Sequence, residues 1–386
     1  MTKPKPESQL IEHLCHYVAP TYTKGSTSVW HRVPISRRSA VFILLFLGTM
    51  GELRVLLTKR SSKLRNFPGH VALPGGKADN GLESEWQVSR REMHEEIGLS
   101  SNDADLKKLG VSIEHIALMP SYLSRTFSCV RPCVGFMRFT NGGGNNGELE
   151  ALKLSLALNP GESSSMFSCP LRDFLYPTSE EPPREALERM SYKIKWGGIP
   201  WNLRSYTFLQ INDNEVDWLK HIKDLSASED EELGDELDSE DKESITPPGI
   251  KTRSTSPAPA HAPVGEPKSP KQNAKRRRNL SSWGRLGSRR HEDSNEKIYD
   301  VWGLTANILH DLSQLVYLHD QPLKSEIGEE ELIYAIHDFG HLMRQKERSD
   351  IEKKLIHSTS MDDAEAGFKN LLPKEEFERL HSIYKL

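Results

Sequence analysis

The stretch PGGKADNGLESEWQVSRREMHEEIGL, residues 74–99, decides the reading of this chain. It opens on a glycine turn. Gly75 and Gly76 permit backbone courses closed to other residues and let a phosphate approach closely. It continues as a helical pattern over Glu83–Gly98. Asn80 followed by Glu83 suits an N-cap with its reciprocal partner, and Gly98 suits the stop. Each helical residue advances about 100°, so Glu92 and Glu96 lie about 40° apart and Glu95 about 60° to the other side of Glu92. Three carboxylates thus share one face, while Trp86, Met93 and Ile97 line another. Like charges at this spacing oppose the helix by roughly 0.2–0.5 kcal/mol per pair, so a cation should balance them. A hard divalent ion, Mg²⁺ or Mn²⁺, takes oxygen ligands and bridges to substrate phosphates. Arg91, beside the cluster, can hold one carboxylate by a charge-assisted bond. A glycine turn feeding such a helix suits metal-assisted attack of water on a phosphoanhydride, with a carboxylate accepting the proton. On the glutamates alone, a solvated helix face is the commoner reading.

Upstream, AVFILLFLG (residues 40–48) and LRVLLTKR (residues 53–60) are rich in strand formers and read as a buried hairpin about Gly51. Downstream, short apolar segments at Ile113–Leu118, Cys133–Phe139 and Tyr206–Ile211 suggest strands. SSSMFSCPLRDFL (residues 163–175) suggests a helix with a turn at Pro170, and a short helix is expected around Gln9–Tyr17. GGGNNG (residues 142–147) reads as a loop. Composition then shifts to an acidic run (228–243), a Ser/Pro-rich run (244–270) and basic clusters (275–279 and 285–290). With so few apolar residues, this stretch reads as a disordered insert. Its charged blocks offer a protein partner a surface, although KRRR at 275–278 favours solvated disorder over nucleic-acid binding. IYDVWGLTANILHDLSQLVYL (residues 298–318) reads as a helix with an apolar face, and the remainder as charged and mostly helical. The expected organisation is an N-terminal extension (1–37), a core domain (38–225), the insert (226–296), a returning helix (297–320) and a helical tail (321–386).

The 386 residues are 36% hydrophobic and 27% charged, with a net charge of −4, which argues against a basic nucleic-acid binder. Four scattered cysteines, none in a CxxC pair, exclude a disulfide framework and a structural zinc site and fit a reducing compartment. Cys129 and Cys133 read as small core residues. The longest apolar run, Ala40–Leu47, falls far short of the ~20 residues of a membrane helix. No signal-peptide stretch opens the chain.

Gly76, Glu83, Arg91, Glu92, Glu95, Glu96 and Gly98, with Met93 and Leu99 at apolar positions, resemble the box of the Nudix hydrolases, with one extra residue between Gly76 and Glu83. RSSKLRNFPGHVALPGGKAD (residues 60–79) is similar to the extended motif of the coenzyme A diphosphatase branch, especially its fungal peroxisomal members. PCVGF (132–136), LNPGE (158–162) and VWGLTANIL (301–309) add weaker matches. Phe67 stands where that branch often has His, Leu73 where it often has Phe, and Ser163 where Val is frequent.

The resemblance implies an α/β fold, the Nudix α/β/α sandwich with a mixed sheet. It implies divalent metal at Glu92, Glu95 and Glu96, with Glu92 also a candidate base and Glu162 a candidate extra base or ligand. The substrate implied is coenzyme A or an acyl derivative, cleaved to 3′,5′-ADP and (acyl-)phosphopantetheine. Arg60 and Arg65 are the candidate cations for these anionic products. His70 and His94 read as structural or solvent-facing, because carboxylates and metal already supply acid–base function. Competing readings are a Nudix hydrolase of oxidised nucleoside triphosphates and a non-catalytic binding protein on the same fold. The resemblance suggests the peroxisome, although the terminal Tyr384-Lys385-Leu386 is at best a degraded address.

Overall fold

The computed structural model describes residues 7–20, 27–139, 156–175, 184–222, 224–225, 290–291, 294–323, 326–357 and 367–384. Its centre is a mixed sheet. Strand β1 (Arg38–Leu47) runs antiparallel to β2 (Leu53–Arg60) and parallel to β7 (Cys129–Phe139), which pairs in turn with β5 (Val111–Leu118) and the short β6 (Tyr122–Leu123). The hairpin of β1 and β2 is closed only near its turn, from Leu45↔Val55 to Leu47↔Leu53. Beyond that the two strands part. Strand β3 (Val71–Ala72) pairs with the far end of β2, and β4 (Gly75–Lys77) with the start of β1. The glycine turn therefore lies within the gap of a splayed hairpin, tied there by the Phe42 N–H donating to the Pro74 carbonyl at 2.8 Å.

Alternation along β1 sorts the layers. Phe42, Leu44 and Phe46 pack with Val88, Met93 and Ile97 of helix α2 (Glu85–Ile97). Ile43 and Leu45 face the other way, against Ile308, Leu309 and Leu312 of the helix Gly303–Tyr317 and Ile11 and Leu14 of α1 (Glu7–Cys15). A strand covered on both faces reads as one continuous apolar run, as residues 40–47 do. The result is the expected α/β/α sandwich with a mixed sheet.

Several elements differ from the sequence reading. Residues 163–170 form strand β8, paired along β2, rather than a helix, with a 3₁₀ turn (Leu171–Phe174) after it. Its serines are bonded inside: Ser165 to the Tyr299 hydroxyl at 2.6 Å, and Ser168 to Arg54 at 2.8 Å and to Glu215. Ile298–Trp302 is a strand, not the first turn of a helix; it joins β9 (Glu188–Trp196) and β10 (Ile199–Leu209) in a second, three-stranded sheet. The β9–β10 hairpin turns on Gly197 and Gly198, at φ 58° and 88°, as a two-residue primed turn requires. Helix α2 is capped by Ser84 and Gln87 rather than by Asn80 and Glu83. Asn80 instead caps the preceding turn through the Leu82 and Glu83 N–H groups.

Of the insert expected at 226–296, residues 226–289 lie outside the described residues, as does the loop at 142–147. Arg290 pairs with Lys297, so the chain rejoins the fold before the boundary expected at 296. The tail beyond 321 does contain helices, Glu330–Asp338, Asp350–His357 and Lys374–Ile383. Leu332, Ile333, Ile336, Leu355, Phe368 and Leu380 belong to the same core as α2. Buried Arg37, just before β1, donates to Glu352 at 3.2 Å and to the Phe127, Gln345 and Glu347 carbonyls.

Candidate active site

The site forms where β4 passes over α2. An added Cβ at Gly76 would stand 2.3–2.4 Å from the carboxyl atoms of Glu92, and one at Gly75 2.4 Å from the Ala40 carbonyl oxygen. Both glycines are therefore demanded by close packing: Gly75 by the strand pairing with β1, Gly76 by a carboxylate lying on the turn. Helix α2 itself ends at Gly98, whose φ of 77° places it in the left-handed region.

Arg91 organises the outer side. Its guanidinium donates to Glu83 at 2.9 Å, Glu92 at 3.1 Å, Glu95 at 3.2 Å and the Lys77 carbonyl at 2.9 Å, and lies 3.5 Å from Asp79. It thus ties three glutamates to the strand that carries the glycine turn. Glu83 also accepts from the Asp79 N–H at 2.7 Å. Partial burial alone would raise the Glu83 carboxyl, but these bonds outweigh it and leave it below its ordinary range.

The inner side is more closed at Glu96. Glu96 is 8% exposed. Burial pushes its carboxyl up to about 8; Arg60 and the Gly75 N–H draw it down, while Glu92 and Glu162 add to the rise. Glu92, half-buried, is also raised, by burial first, with Arg91 opposing. Glu162 arrives from a distant loop that closes the end of α2. The Asn159 and Ala157 N–H groups donate to the Glu96 and Ile97 carbonyls at 3.1 and 3.0 Å, two acceptors that the helix end leaves open. The Asn159 side chain donates to Glu162 at 2.9 Å. Arg60 ends β2, and its buried Nε has no hydrogen-bond partner among the described residues.

The structure therefore brings Glu92, Glu96, Glu162 and Arg60 together beneath the glycine turn. Glu95 stands on the outer side, half-exposed against Arg91. Among the described residues, no three His, Cys, Asp or Glu side chains form a ready-made cage for an ion. Arg65 is exposed on the loop after β2, and His94 points to solvent. His70 is buried, with ring contacts to Phe67 and Trp302. Cys129 and Cys133 are core residues whose thiols burial pushes upward. Sequence reasoning missed Asn159 and the bonds that join residues 157–159 to α2. No local pattern signals them, since they depend on where a loop some sixty residues away returns.

Carboxylate oxygens are the donors a hard divalent ion takes. Half-buried Glu92 and buried Glu96 also repel each other, and a cation between them would relieve that. The donor set fits such an ion.

The NUDIX domain model matches residues 36–190. The peroxisomal coenzyme A diphosphatase 1 of Saccharomyces cerevisiae is 36% identical over 380 residues, covering 95% of this chain and 93% of the yeast protein. The mouse peroxisomal coenzyme A diphosphatase NUDT7 is 29% identical over 142 residues, 37% of this chain and 50% of its own. Among solved structures, a C. elegans Ap4A hydrolase covers 35% of this chain and 80% of its own, at 19% identity and a TM-score of 0.25. This chain belongs to the Nudix hydrolases. Within them it is an enzyme of the coenzyme A diphosphatase branch, which its likeness to the yeast protein over nearly the whole of both chains defines.

Proposed function

We propose that the protein hydrolyses the diphosphate linkage of coenzyme A or acyl-coenzyme A, releasing 3′,5′-ADP and (acyl-)phosphopantetheine. The observation that carries the reading is buried Glu96 under a glycine turn, with half-buried Glu92, the more exposed Glu162 and Arg60 acting on it. Glu92 and Glu96 would hold Mg²⁺ or Mn²⁺, with Glu95 reached from the outer side. Such an ion neutralises phosphate charge and lowers the pKa of a water. Arg91 positions Glu92 and Glu95 by bonding both. Glu92 is assigned as the base that takes the water proton, and Glu162 as the second carboxylate able to do so. The half-buried Arg60 guanidinium is assigned to a phosphate oxygen and the exposed Arg65 to a more distant one. Gly75 and Gly76 leave the turn bare for the phosphates.

Pure protein with Mg²⁺ or Mn²⁺ is expected to cleave coenzyme A to the two named products, read by mass. Cleavage of 8-oxo-dGTP in preference to coenzyme A would instead assign it to oxidised nucleotides. Glu96→Gln keeps size but removes an ionisable ligand, and should lose most turnover, about 10²-fold or more, while folding normally. Background turnover of every diphosphate by both wild type and Glu96→Gln would favour a binding role. Because the yeast relative is named as peroxisomal, we also assign this protein to the peroxisome. An amino-terminally tagged chain should coincide with a peroxisomal marker under the microscope; a diffuse signal would refute this.

A further inference from the structure

The loop between β2 and β3, RSSKLRNFPGH (residues 60–70), carries Arg60, Lys63 and Arg65 and no acidic residue. Its last four residues make a tight turn. The His70 N–H donates to the Phe67 carbonyl at 3.4 Å, with Pro68 and Gly69 (φ 71°) at the positions a type II turn gives them. Phe67 has a φ of 54°, in the left-handed region that bulky residues avoid, and it precedes a proline, which narrows its choices further. The residue is nonetheless 44% exposed. The ring is also backed: it stands edge-on to buried His70, centroids 5.3 Å apart, and His70 lies 5.1 Å from Trp302. An unfavourable backbone conformation thus holds an aromatic face toward solvent, and such conformations persist at sites of function.

The same turn is tied to the reaction centre. The Arg60 N–H donates to the His70 carbonyl at 2.9 Å, and the Arg60 side chain reaches the Asn66 carbonyl at 3.5 Å. Its charge also acts on Glu96. The turn that carries Phe67 is therefore bonded to Arg60, whose charge reaches buried Glu96, on a segment with three cations.

We propose that Phe67 is the stacking face for the purine of the substrate, with His70 and Trp302 holding it from behind and the loop cations serving the phosphates of the same nucleotide. This deepens, and rests on, the coenzyme A reading. A purine offers a flat π-face without charge, which an aromatic ring takes. The phosphopantetheine half has no such face and would not use this ring.

The test is calorimetric titration of the full chain, in Mg²⁺, with 3′,5′-ADP and separately with phosphopantetheine. Phe67→Leu and Phe67→Ala should weaken 3′,5′-ADP about tenfold, and Phe67→Tyr less than about twofold. All three should bind phosphopantetheine as wild type does. With coenzyme A, KM should rise in Phe67→Leu while kcat holds. Unchanged 3′,5′-ADP binding in Phe67→Leu, with coenzyme A still cleaved by wild type, overturns the stacking role alone. Equal weakening of both ligands also overturns it, since the loop would then be merely structural. A wild type that neither binds 3′,5′-ADP nor cleaves coenzyme A removes the coenzyme A reading and the stacking role together.

Discussion

At Gly76 the missing side chain matters more than any contact. The turn could be read from PGG as a place of close approach, but the group that approaches is Glu92, sixteen residues along the chain. Nothing local announces that, because it depends on how β4 lies over α2. The atom an alanine would displace is the end of a flexible side chain, so the fold should survive Gly76→Ala. The carboxylate would be pushed off its position. A displacement of about 1 Å in a reacting group costs about 10²-fold. Gly76→Ala should therefore lose turnover on that scale while its melting temperature stays within about 2 °C of wild type. Full activity in Gly76→Ala would detach Glu92 from the reaction.

At the scale of elements, α2 shows what periodicity reveals. The buried set of Val88, Met93 and Ile97, the carboxylate face and the Gly98 stop all follow from 3.6 residues per turn and one left-handed residue. The start of the helix does not. Asn80–Glu83 and Ser84–Gln87 are equally competent cap pairs by local chemistry. The choice falls to Ser84 because Glu83 is drawn away to Arg91 and the Asp79 N–H. Ser84→Ala should cost about 1 kcal/mol and lower the melting temperature by about 2–4 °C, with kcat nearly unchanged. Residues 163–170 misread for a related reason. Serine favours no period of its own, and these serines are satisfied by Tyr299, Glu215 and Arg54 from elsewhere in the fold. The hairpin at Gly197-Gly198, by contrast, has a two-residue glycine signal that could have been found.

Across the whole molecule, the charged tail proves to be part of the core. Its helices bring leucines and isoleucines under the sheet, and Glu352 meets the guanidinium of Arg37 in a site almost closed to water. Burial pulls Arg37 below its ordinary range, with Glu352 opposing that pull. Removing the carboxylate strands a buried charge, which costs about 3–5 kcal/mol. Glu352→Ala should lose stability on that scale in chemical denaturation. A loss below about 1 kcal/mol would show that Arg37 finds other compensation, its three carbonyl acceptors being the candidates.

The amino-acid order alone determined the hairpin, the glycine turn, the helix that carries the three carboxylates and, by the spacing of seven residues, the family. All of these are short-range: they depend on rise, turn and side-chain direction within a few residues, which local chemistry dictates. The tertiary structure alone decided that Glu162 and Arg60 join Glu96, that Glu95 stays outside with Arg91, that the tail packs under the sheet and that Phe67 faces outward from a strained turn. Those pairings join residues far apart in the chain. They come from the splay of one hairpin and the return of distant loops, which carry no period to read.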